Sequence, residues 1–128
     1  MALDKPTKLQ TGNHGENLAT EYLQGKGYVI LERNWRHQKA ELDIIAQHGN
    51  TTVFVEVKTR RGLNYGYPEE GVTPAKQKHL SRGANAYVIE KDINNDLRFD
   101  IISIILKKGE APEINHIEDA FFPIGEGY

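Results

Sequence analysis

The chain is 128 residues long and carries 16 Lys and Arg against 18 Asp and Glu, a net charge of −2, so one globular domain is expected over residues 1–128, with flexible ends at 1–11 and 123–128. Its 38 % apolar residues suffice for a single core but contain no run near the ~18 to 20 that a transmembrane helix needs. With no Cys there are no disulfides, thiolate zinc clusters or Cys nucleophile, and the opening MALDKPTKLQ places no apolar stretch behind its lysines, so a cytoplasmic location is expected.

The first predicted element is a helix capped by Asn13, with Glu16 three residues on as in a capping box and Leu18, Ala19, Tyr22 and Leu23 as its apolar stripe. Gly25 and Gly27 end it. Tyr28 to Leu31, running toward Asn34 and Trp35, reads as a first strand, and Arg36 to Lys39 as a polar break. Glu41–Ala46 and Thr52–Lys58 read as two strands of a hairpin turning at His48-Gly49-Asn50. Residues 62–71, GLNYGYPEEG, have no periodicity and read as a loop. Thr73 then caps a helix with Pro74 in its first position and Leu80, Ala84, Tyr87 and Val88 on one face. After the turn Asn94-Asn95-Asp96, the almost wholly apolar Phe99–Leu106 reads as an interior strand covered on both sides, and Ile114–Ala120 as an edge strand. The order predicts an α/β protein with a mixed sheet, and neither a glycine-rich phosphate loop nor a dinucleotide fingerprint is present.

Charge is unevenly spread. Residues 57–82 hold six cationic side chains against two carboxylates, whereas residues 83–128 hold four against nine. A basic stretch of this kind reads either as a solvated face or as an anion-binding surface. Strand alternation puts Val53, Val55 and Val57 on one side and Phe54, Glu56 and Lys58 on the other. Glu56 and Lys58 then lie about 6.5 to 7 Å apart at Cα, within reach of one small ligand. Hairpin pairing can bring Asp43 beside Glu56, and two adjacent carboxylates are costly to ionise unless a cation such as Mg²⁺ lies between them. A plain cross-strand ion pair on a half-solvated sheet is the other reading of the same pattern.

Asp43, a hairpin and then Glu56-Val57-Lys58, set in a helix, three strands, a helix and a strand, resembles the PD-(D/E)XK nuclease superfamily. The segments GENLATEYLQGKGYVILERNWR, AELDIIA, VFVEVKTRR, VTPAKQKHL and LRFDIISI resemble the YraN-like family of small bacterial proteins within it. The resemblance implies a three-layer α/β/α, restriction-endonuclease-like fold. It implies Asp43 and Glu56 as ligands of Mg²⁺ or Mn²⁺, and Lys58 acting on the attacking water or the scissile phosphate. Glu16 would complete the site as the acid on the first helix, as in resolvase-like nucleases; its alternative is to cap that helix. Leu42 departs from the pattern, standing where the superfamily has Pro.

The implied reaction is hydrolysis of a phosphodiester in nucleic acid, with DNA the expected partner, as in a Holliday-junction resolvase or another DNA-processing enzyme. Arg60, Arg61, Lys76, Lys78 and Arg82 are the candidates for holding phosphates. Tyr65 and Tyr67 are candidates for stacking on bases or for local packing, and Trp35 for the core. His14, His37, His48, His79 and His116 show no zinc-ligand spacing, and Ser81 and Ser103 lie in no nucleophile elbow. The alternatives are a non-catalytic nucleic-acid binding protein of the same fold and a scaffold using the acidic last third. Concerted cutting of both strands would call for a homodimer, for which no segment offers an interface.

Overall fold

The computed structural model describes residues 7–62 and 71–121. The elements are α1 (Lys8–Gly25), β1 (Val29–His37), β2 (Ala40–His48), β3 (Thr51–Arg61), α2 (Pro74–Glu90), β4 (Asp96–Leu106) and β5 (Glu113–Ile117). The strands form one mixed sheet in the order β1-β2-β3-β4-β5. β1, β2 and β3 are antiparallel neighbours, α2 carries the chain across to β4 parallel to β3, and β5 returns antiparallel at the edge.

α1 starts earlier than the Asn13 cap would have it. Thr7 is the cap: its hydroxyl accepts from the Gln10 N–H while the Gln10 side chain accepts from the Thr7 N–H, a complete capping box. Asn13 and Glu16 therefore lie inside the helix, and residues 8–11, expected in a flexible end, are its first turn. The other end is as expected. Gly27 takes φ +89°, its N–H and that of Tyr28 bond back to Gln24 and Leu23, and Tyr28 packs into the same cluster as Leu23. β1 also runs through the expected polar break to His37, which pairs with Ala40 across a two-residue turn where Gln38 has φ +54°. In the next hairpin His48 belongs to the strand, and the turn is Gly49-Asn50 with Gly49 at φ +61°.

α2 is capped by Thr73 with Pro74 behind it, and buries Leu80, Ala84 and Tyr87. β4 starts at Asp96, three residues before Phe99, and lies between β3 and β5 as an interior strand; β5 ends at Ile117, short of Ala120. Apart from Gly62 and Gly71, the 62–71 loop, with Tyr65 and Tyr67, lies outside the described residues.

The helices serve separate cores. Ala19 and Leu23 of α1 pack with Ile44, Ala46, Val53, Val55, Ile102 and Ile104. Leu80, Ala84 and Tyr87 of α2 pack with Leu42, Ile45, Phe54, Phe99 and Ile101, joined by the partly buried Trp35, whose ring meets Tyr87 edge-on. Alternation along β3 therefore sends the valines to the α1 cluster and Phe54 to the α2 cluster, as the sequence predicts. No described helix is long and apolar enough to cross a membrane.

Candidate functional site

The β2–β3 ladder ends at the pair Ile44 with Val55, and continuing its register would place Asp43 opposite Glu56. There β2 leaves β3, and the Val57 N–H donates to Asp43 Oδ2 at 2.8 Å instead of to a backbone carbonyl. Period-two alternation breaks at the same point. Leu42 joins the α2-side cluster while Ile44, two residues on, joins the α1-side cluster. On β1 the residue facing Asp43 in the register is Asn34, with φ +53°. Asn tolerates that left-handed conformation better than most residues.

Glu56 is 5 % exposed. Lys58 Nζ, from the same face of β3, and Lys76 Nζ, from the first turn of α2, each lie 3.7 Å from Glu56 Oε1. Among the described residues no N–H or hydroxyl group donates to the buried Glu56 Oε2. Burial, the charge of Glu56 and a carboxyl–carboxyl hydrogen bond with Glu56 push the Asp43 carboxyl up to about 8, against the opposing Val57 N–H and Lys76 charge. The two carboxyls are therefore costly to ionise together.

Glu16 approaches from α1. Burial and the charge of Asp43 raise its carboxyl above the ordinary range, while a hydrogen bond with Asn34 and the charge of Arg33, 3.6 Å away, oppose them. Its position in mid-helix removes the capping role. The close approach of α1 rests on Gly15, where a Cβ would overlap Thr59 Oγ1 on β3. The fold therefore gathers Glu16, Asp43, Glu56 and Lys58 around the point where β2 and β3 part. Among the described residues no three acidic or His side chains are already disposed as a ligand set for a metal ion. The donor chemistry nonetheless suits a hard cation, since two buried carboxyls that are costly to ionise together face each other and Glu56 Oε2 has no donor among the described residues.

The expected phosphate-holding residues separate. Lys76 is at the carboxylates, and Arg60 and Lys58 line the approach to Gly71, where a Cβ would stand 3.7 Å from Arg60 Nη2 and 3.8 Å from Lys58 Cε. Arg61 is on the other face, donating to Thr11 Oγ1 of α1 at 3.1 Å. Lys78 and Arg82 are exposed along α2, and helical spacing carries Lys78 round the axis from Lys76. Sequence reasoning missed Asn34 and the place of Lys76. For Lys76 a signal was available: a cation at the third position of a Thr-capped helix, where Glu or Gln is favoured.

The model of the uncharacterised protein family UPF0102 matches residues 15–104, a span containing all four gathered side chains. A UPF0102 protein of Flavobacterium psychrophilum is 50 % identical over 111 residues, covering 87 % of this chain and 92 % of the relative. Another from Caldicellulosiruptor saccharolyticus is 48 % identical over 116 residues, 89 % and 98 % of the two chains. A third, from Rhodococcus opacus, is 46 % identical over 114 residues, 88 % and 97 %.

Proposed function

The chain belongs to the uncharacterised protein family UPF0102, the YraN-like family that its segments resemble, and on that premise we propose that it is a metal-dependent nuclease of the PD-(D/E)XK superfamily. The observation that carries the reading is the buried Asp43–Glu56 pair, with an orphaned Glu56 oxygen and Lys58 beside it. The order helix, antiparallel β1–β3, crossover helix and parallel β4, with a helix-borne core on each side, supports a three-layer restriction-endonuclease-like fold.

In this reading Asp43 and Glu56, with Glu16 behind them, hold Mg²⁺ or Mn²⁺. The bound ion would lower the pKa of a water and neutralise charge on a phosphodiester. Lys58 places an ammonium beside the carboxylates, where it stabilises charge developing on the phosphate. Arg60, at the approach, holds a neighbouring phosphate without reading bases. DNA is the proposed substrate, in branched, nicked or linear form. The test is a panel of linear, nicked, branched and single-stranded DNA and RNA incubated with Mg²⁺ or Mn²⁺. Scission by the wild type, lost in folded Asp43→Asn and Glu56→Gln proteins, is expected. A wild type that leaves every substrate intact under both metals sinks the reading.

The second reading, a binding module without catalysis, is favoured by one observation: two lysines already offset Glu56. It predicts salt-sensitive nucleic-acid binding with no cleavage.

A further inference from the structure

We infer that Lys76 is a built-in competitor for the divalent cation, neutralising the Glu56 carboxylate that the ion must bind. The inference rests on the metal-site reading above and concerns how that site is guarded.

Helix energetics do not explain Lys76. It is the third residue of α2, with its N–H bonded to Thr73 Oγ1, so its charge lies beside the positive end of the helix dipole. The first turn of α2 contains no acidic residue to offset it. What its ammonium meets is Glu56 Oε1 at 3.7 Å, the oxygen that also faces Lys58. Lys58 is brought there by strand alternation alone, two residues along β3. Lys76 comes from a separate element across a crossover, so its arrival at the same oxygen is not forced by local geometry. Its side chain is 40 % exposed against 24 % for Lys58, so it has solvent to move into when it leaves.

The two ammonium groups hold Oε1, so a divalent ion entering on Oε2 of the same carboxylate meets a group whose charge is already offset and is repelled by both. Metal affinity would therefore carry the cost of weakening the Lys76 ion pair, which the partly exposed Lys76 side chain can leave for solvent. Metal-free protein is in turn protected from an uncompensated carboxylate pair beneath α2.

The experiment is calorimetric titration of Mn²⁺ into full-length wild type, Lys76→Met, Lys76→Arg and Lys78→Met, each checked for an unchanged thermal melt. Lys78→Met removes the same charge two residues away and reports the general field. Lys76→Met is expected to bind Mn²⁺ about fivefold more tightly than wild type, the upper range for partly exposed ion pairs. Lys76→Arg and Lys78→Met should stay near wild type. Equal or weaker binding by Lys76→Met, or equal tightening by Lys78→Met, overturns the competitor role while leaving the metal site standing. Absence of Mn²⁺ binding in all four proteins instead overturns the metal site itself, and the competitor with it.

Discussion

At Gly15 a single hydrogen decides whether α1 can lie on β3, because any Cβ there would overlap the Thr59 hydroxyl. Gly15→Ala should lower stability by about 1–3 kcal/mol in urea denaturation, the usual cost of overpacking, and should displace the adjoining Glu16. Asp43 gives the pH dependence. Its folded-state carboxyl is raised to about 8 from an ordinary 3.8, so between those values the native state keeps a proton that the unfolded chain releases. Stability of the metal-free protein should therefore fall as pH rises through that window and be level with respect to this group outside it. Asp43→Asn should flatten the profile. Glu56 and Lys58 were legible in the sequence as partners, because alternation fixes their common face whatever else the chain does. Asn34 was not: an αL residue facing Asp43 follows from a strand register that local residue preferences do not encode.

Among the elements, β4 and β5 are clasped by the fully buried Asp100. Arg98 donates to it twice, at 2.8 and 2.9 Å; His116 Nε2 lies 2.7 Å away, and the Asp119 N–H donates at 3.0 Å. Burial alone would raise the Asp100 carboxyl, but these bonds overcome it and hold the group below its ordinary value. The clasp therefore stabilises above the unfolded-state value and is lost as pH falls through the depressed one. Arg98→Met leaves a buried charge short of the guanidinium that donates to it twice and should cost about 3–5 kcal/mol by chemical denaturation, far more than a surface substitution. The hairpin, α2 and the interior β4 were readable because turn residues, Thr73-Pro74 and a continuous apolar run each have one interpretation. The start of α1 did not. Thr7 with Gln10 and Asn13 with Glu16 both satisfy the capping-box spacing, and only the bonds formed in the fold choose Thr7. Likewise Lys76 reaches Glu56 only once α2 has crossed the sheet, which is why its sequence position suggested a phosphate contact and not a contact with the carboxylates.

For the molecule as a whole, a net charge of −2 conceals a cationic approach to an acidic site, with Lys58, Arg60 and Lys76 gathered on the α2 side of β3. Binding to nucleic acid should weaken steeply with salt, and Arg60→Gln should weaken it evenly across sequences while reducing the log–log salt slope by about 1, measured by fluorescence anisotropy. Arg61, turned toward α1, should matter less. The central claim is that the chain holds a divalent ion between Asp43 and Glu56, and it is tested most directly without choosing a substrate. Calorimetric titration of Mg²⁺ or Mn²⁺ into wild type, Asp43→Ala and Glu56→Ala, with folding verified by circular dichroism and the titrations repeated in the presence of DNA, should show binding in the wild type alone. Equal binding in all three proteins, or none in the wild type even with DNA present, would contradict it.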